Sequence, residues 1–153
     1  ADSRKIEDAD PVLQEKILLI IEDYPSYYPE AELRILCTLR SIETQKLHYA
    51  VGRTIPPFGK KYQITQIDGV NKFGEHNPIP GKFDKSRAVD FGVFINGKYI
   101  TAEKYYYPLL DLARKYDLIS GIDFKNTGQT LEERLKARKQ GAFLDFPHIE
   151  MKK

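Results

Sequence analysis

Ala88-Val89-Asp90-Phe91-Gly92-Val93-Phe94-Ile95-Asn96-Gly97-Lys98-Tyr99 is the stretch on which the fold turns. Its side chains alternate well enough for paired strands, and Asn96-Gly97 supplies the two residues that tolerate positive φ in a tight hairpin turn. The segment therefore predicts an antiparallel β-hairpin. C-terminal to it, Thr101 is placed to cap a helix that turns Tyr105, Leu109, Leu112, Ala113 and Tyr116 toward a core, and Pro108 must kink or restart that helix. Leu118 to Ile122 reads as a short strand. Thr130-Leu131-Glu132-Glu133 has the spacing of a capping box, Gly141 closes that helix, and a last strand is expected from Phe143 to Glu150.

N-terminal to the hairpin, Leu33 to Leu39 is apolar enough for a buried strand, with helix as the alternative. Ser41 can cap a helix reaching about Val51, with Gly52 just past its end. Between Arg53 and Ser86 lie most of the prolines and glycines, so this region reads as loop, interrupted by a strand around Tyr62–Ile67. Asp10-Pro11 looks like an N-cap followed by proline at the first helical position. Val12, Leu13, Ile17, Leu18, Ile20 and Ile21 then give a helix from about 11 to 23 its apolar face. Residues 1–10 are polar and expected to fray. The 153 residues suit one domain, 1–153, of α+β class: a small antiparallel sheet with flanking helices, and no room for a separate binding module.

The charge balance excludes some functions. With 24 basic against 22 acidic residues and a net charge of +2, no strong field is implied, and no basic stripe with stacking aromatics points to nucleic acid. Arg134, Lys136, Arg138 and Lys139 share a segment with Glu132 and Glu133 and read as a solvated helix face. Cys37, the only cysteine, sits in an apolar run and reads as a buried, inert thiol; no intrachain disulfide can form. The longest apolar run, Ile17 to Ile21, is too short to span a bilayer, and no leader pattern opens the chain. The expectation is a monomer made in the cytoplasm and not inserted in a membrane.

Three histidines carry most of the available chemistry. His48 lies inside the helix after Ser41 and reads as a surface or partly buried residue rather than a ligand. His76 and His148 sit in polar, turn-flanked stretches, near Asp90 and Asp145 in motif. Two imidazoles and one carboxylate can fill three corners of a tetrahedral zinc site and leave the fourth for water. A further carboxylate can take that water's proton. Asp145-Phe146-Pro147-His148 is not the helical metalloprotease arrangement, because Pro147 favours extended or turn backbone; Asp145 and His148 would face different sides of the water, one as base and one as ligand.

Several ordered motifs then carry a resemblance. They are Cys37-Thr38-Leu39-Arg40-Ser41 with Gln45 and Gly52-Arg53-Thr54, Gln66-Ile67-Asp68-Gly69-Val70-Asn71-Lys72, His76-Asn77-Pro78, Ser86-Arg87-Ala88-Val89-Asp90-Phe91, Ile119-Ser120-Gly121-Ile122-Asp123, and Asp145-Phe146-Pro147-His148-Ile149-Glu150. Together they resemble the M15 (VanY/VanX-like) zinc peptidases over roughly residues 25–150, and most of all the phage endolysin branch of L-alanyl-D-glutamate and D-alanyl-D-alanine peptidases. The resemblance implies His76, Asp90 and His148 as zinc ligands, Asp145 as general base, and Arg40 as the cation that polarises the scissile carbonyl and stabilises its oxyanion. It implies a zinc site at the junction of sheet and loops, with a peptidoglycan stem peptide as substrate. It also implies an enzyme that reaches the wall after another protein permeabilises the membrane. Glu150 is open between a role behind the ligands and a surface charge. Many relatives have His-x6-Asp; here the separation is 90 − 76 = 14 positions, and counting seven back from Asp90 lands on Phe83. A tryptophan common near the last motif is missing, and Gly74 stands where a serine is usual.

Two further functions remain open from the sequence. One is a D-Ala-D-Ala carboxypeptidase or dipeptidase of wall maturation. The other is a zinc-binding module without catalysis, against which Asp145 and Arg40 argue, since a structural site needs neither base nor oxyanion cation. The tyrosines Tyr105, Tyr106 and Tyr107 are explained by core and rim packing more cheaply than by a groove for a sugar-peptide polymer.

Overall fold

The computed structural model describes residues 2–70, 72–79, 82 and 84–153. Ala1, Asn71 and Phe83, which entered the sequence argument, lie outside them. Five antiparallel strands form one open sheet: β1 (Ala31–Cys37), β2 (Ala88–Ile95), β3 (Lys98–Ile100), β4 (Leu118–Ser120) and β5 (His148–Met151). The helices are α1 (Pro11–Asp23), α2 (Ile42–Ala50), α3 (Pro108–Lys115) and α4 (Leu131–Lys139). The expected α+β class, single domain and antiparallel pairing are all present.

Strand β2 is the spine. One edge pairs with β1, while the other is shared by β5 along residues 88–90 and by β3 along residues 93–95. Asn96 and Gly97 take positive φ, 51° and 76°, as the hairpin turn requires. Because successive strand residues face opposite ways, Val89, Phe91 and Val93 go to the core with Ile149 and Leu33. Helix α1 closes that core with Leu13, Ile17 and Ile20, and α3 with Leu109, Leu112 and Ala113. Each such aliphatic side chain contributes roughly 1.5–3 kcal/mol on leaving water. Asp90, His148 and Glu150 therefore emerge on the other face.

Local chemistry accounts for most helix ends. The Asp10 carboxylate accepts from Val12 N–H ahead of Pro11, the Ser41 hydroxyl accepts from Thr44 N–H, and Thr130 and Glu133 make the reciprocal capping box. Pro108 restarts a helix, as its missing N–H demands.

Five expectations need correction. Thr101 caps nothing: a 3-10 turn, Glu103–Tyr106, precedes α3, and Tyr106 is held instead by donating to Ile100 O and accepting from Val93 N–H. The final strand starts at His148 rather than Phe143, because Asp145 N–H is spent on Gly121 O and His148 N–H turns back to Asp145 O. No strand forms at Tyr62–Ile67. There, backbone carbonyls are taken by side chains: Thr65 O accepts from Arg53 and Ile67 O from Gln45. Residues 2–10 do not fray, since Ser3 N–H donates to Leu39 O and Ser3 O accepts from Thr38 N–H, Ala9 is fully buried, and Asp10 and Ser86 N–H groups bond across to Ser86 and Asp8 carbonyls. Arg134 is no solvated cation: it is buried, donates to Ile122 O and pairs with Asp123.

Candidate metal centre

Register brings the first two groups together. Asp90 on β2 lies directly opposite His148 on β5, so both side chains stand on the same face. On its other flank Asp90 opposes Cys37, and the pairing shifts between Ile35 and Cys37, leaving Leu36 as an extra residue. Without that bulge Cys37 would continue the 31-33-35 alternation into the core; with it, the thiol turns to the side of Asp90. Gly92 makes room, since a Cβ there would stand 2.8 Å from Leu36 Cδ1.

His76 arrives from the loop. Its backbone carbonyl accepts from Arg40 N–H, and buried Asn77 ties the loop down by donating to Arg40 O and accepting from Gly74 N–H. The loop is closed at a neck between the residue before His76 and a residue three short of Asp90, where Arg87 N–H donates to Glu75 O over 2.7 Å.

Three atoms converge. His76 Nε2 is 3.3 Å from His148 Nδ1 and 3.2 Å from Asp90 Oδ1, and His148 Nδ1 is 3.0 Å from Asp90 Oδ1. Three donors each about 2.0–2.1 Å from a tetrahedral centre would be separated by about 3.3 Å. The outward ring nitrogens fix the tautomers: His76 Nδ1 donates to Thr38 O at 2.7 Å, and His148 Nε2 donates to Glu150 Oε1 at 2.9 Å. In the neutral rings both inward nitrogens then present lone pairs, to each other and to a carboxylate. Such a donor set needs a cation or protons between its members.

The electrostatics agree. Burial works against charge on His76, yet hydrogen bonds to Asp90 and Cys37 together with the Asp90 charge outweigh it and lift its pKa to about 9. His148 is likewise opposed by burial, but Asp90 and Glu150 lift it to about 10. Asp90, despite burial, is held well below the ordinary carboxylate range by the two histidines. Cys37, His76, Asp90 and His148 form a cluster able to hold a metal ion, and Asp90, Asp145 and His148 offer a second set of atoms within 4.8 Å. The Cys37 sulfur faces His76 Nδ1 at 3.6 Å, the nitrogen already engaged by Thr38, and lies within 4.8 Å of an Asp90 carboxylate oxygen.

The other two sequence candidates line the same cleft of about 430 Å³. Asp145 sits in the turn before β5, and no hydrogen bond to its carboxylate is found among the described residues. Burial first, and the Asp90 charge second, push its pKa above the usual value. Arg40 follows β1, and its guanidinium is forked by Asp2: Nε to Oδ1 at 3.1 Å and Nη2 to Oδ2 at 3.2 Å.

Sequence reasoning missed much of the wall. Phe124 packs on His148 with centroids 5.1 Å apart, and Phe143, three-quarters exposed, stacks on Phe124. Gln45, Ile64 and His48 also line the cleft, so His48 is partly buried as expected but stands beside the site. Glu150 was open and is now placed against His148; the i, i+2 spacing on a strand was the available signal. None of Tyr105, Tyr106 and Tyr107 lines the cleft. Compared with known proteins, the chain matches no family model and no curated protein. Among the described residues, no helix is long and apolar enough to cross a membrane.

Proposed function

We propose that this chain is a zinc-dependent peptidoglycan peptidase of the M15 (VanY/VanX-like) type, an endolysin that hydrolyses a stem-peptide bond, with the L-Ala–D-Glu bond as the expected target. The observation that carries the reading is the triangle of His76 Nε2, Asp90 Oδ1 and His148 Nδ1, spaced 3.0–3.3 Å apart in the cleft that Asp145 also lines, its carboxylate accepting no hydrogen bond among the described residues.

Two imidazoles and one carboxylate suit zinc, which they would hold with one position open; zinc supplies Lewis acidity and makes water acidic near neutrality. The chain's own residues do the rest. Asp145, whose raised pKa makes it a better base than a free aspartate, takes a proton from the attacking water and passes it to the leaving amine. Arg40 stays cationic, because the hydrogen bond and charge of Asp2, with the charges of Cys37 and Asp90, outweigh burial in raising its pKa, and it donates to the oxygen on which negative charge develops. Thr38 and Glu150 keep the two imidazoles in the tautomers that aim their lone pairs inward. Phe124 walls the cleft beside His148 and limits water there.

Purified peptidoglycan digested by the protein, with and without chelator, tests the reading through the termini found by mass spectrometry. New L-Ala carboxyl and D-Glu amino termini that vanish with the metal are expected. Release of free D-Ala would reassign the chain to carboxypeptidase chemistry, and an undigested wall at full metal loading would refute peptidase function.

A further inference from the structure

We propose that Asp2 is a positioning residue for Arg40, and that the N-terminal segment is thereby a working part of the site; the proposal rests on the peptidase reading above. Residues 2–5 lie beside the chain that leaves β1. Ser3 N–H donates to Leu39 O at 2.8 Å, Thr38 N–H donates to Ser3 O at 2.7 Å, and the Thr38 hydroxyl donates to Lys5 O at 2.9 Å. Asp2 and Arg40 pair as residues of an antiparallel bridge at the end of this contact. The Ser3 hydroxyl in turn bonds Asp8, so the segment is braced on both sides.

This placement decides which edge of the guanidinium is used. Asp2 takes Nε and Nη2, the edge that suits a carboxylate fork. Nη2 also lies 4.0 Å from Cys37 Sγ. Among the described residues Nη1 has no hydrogen-bond partner, and Arg40 lines the cleft with Asp90, Asp145 and His148. A four-bond side chain that is 20% exposed would otherwise sample several rotamers, and the fork removes that freedom before substrate arrives. An oxyanion donor works by being aimed in advance, so the carboxylate that aims it acts on turnover through Arg40.

The test uses the full chain and four variants: Asp2→Asn, Asp2→Glu, Arg40→Ala, and Asp2→Asn with Arg40→Ala. Asp2→Asn should lower kcat about 10- to 100-fold with KM little changed, since misplacement by about 1 Å costs of that order. Zinc content and Tm should stay at the wild-type values, and Asp2→Glu should recover part of the loss. The double variant should be no slower than Arg40→Ala alone. Independently of turnover, the Arg40 Nε–Hε resonance should exchange slowly with solvent in the wild type and rapidly in Asp2→Asn.

A variant faster than wild type would overturn the proposal, because Asp2 would then be masking Arg40. Multiplicative losses in the double variant would overturn it too, by showing that Asp2 acts elsewhere. Equal Nε–Hε exchange in both proteins removes the pair itself. Inactive wild-type protein with a slowly exchanging Nε–Hε would instead sink the peptidase reading, and the catalytic role of Asp2 with it.

Discussion

At the scale of single residues, the convergence of His76, Asp90 and His148 makes their roles separable. His76→Ala or His148→Ala removes a donor atom, so each variant should lose its one equivalent of zinc by elemental analysis; unchanged content would reject that ligand. Asp145→Ala touches no donor of the triangle. It should retain zinc while turnover falls about 10²- to 10⁴-fold, the usual reach of general acid–base catalysis. The pH dependence carries two signs. His76 and His148 have folded pKa values of about 9 and about 10, above the roughly 6.5 of a free imidazole. The stabilisation they draw from Asp90 and Glu150 is thus fully present below about pH 6.5 and lost as pH rises through 9 to 10. Asp90 is depressed, so its contribution is present above about pH 3.9 and lost as pH falls. A metal ion held by these rings would compete with their protons. Uptake at pH 7 should release at least one proton per ion and tighten toward pH 9, read by calorimetry in buffers of different ionisation enthalpy. Heats independent of buffer would mean the rings were already neutral. The clustering of histidine with carboxylate was legible because three histidines leave few choices, whereas Asp2 was not, since polar terminal residues carry no signal of the partner that orders them.

At the scale of elements, caps and periodicity sufficed wherever stabilisation is local. Asp10-Pro11, Ser41 and the Thr130–Glu133 box all do in the structure what their side chains favour. Misreadings fell where a tertiary partner captured the backbone. Residues 62–67 have strand-like composition, but Arg53 and Gln45 occupy the carbonyls a neighbouring strand would need. The bulge at Leu36 was equally invisible, because nothing in Leu36-Cys37 announces a register shift. One close approach carries a prediction. Gly121 lies so near the turn before β5 that an added Cβ would stand 2.0 Å from Asp145 O and 3.0 Å from His148 Cβ. Gly121→Ala should therefore push that turn away, at a cost of about 1–3 kcal/mol in denaturant unfolding, and lower turnover together with it. A variant of wild-type stability and activity would show that the turn yields freely.

At the scale of the whole molecule, the centre joins a strand pair, a loop, and the turn after the last helix. A bound ion should then stabilise the fold by mass action, about 4 kcal/mol at a thousandfold excess over Kd. Chelation should lower Tm by several degrees in calorimetry, and an unchanged Tm would mean the site contributes nothing to folding. The α+β class followed from one hairpin and the helix caps, but convergence of residues 76, 90 and 148 depends on strand register and loop closure, which no linear pattern encodes. The neck between Glu75 and Arg87 has one more result. Arg87 N–H closes onto Glu75 O, Asn77 is tied to Arg40, and Ser86 is tied to Asp8 and Asp10, so both ends of the intervening chain are anchored to the fold. The 14 positions between His76 and Asp90 are therefore no obstacle to their meeting, and His76 Nε2 stands 3.2 Å from Asp90 Oδ1. Engineers could use these anchored ends: a Gly-Ser tract spliced between Ile79 and Asp84 should leave metal stoichiometry intact, making this the natural place to graft a targeting peptide.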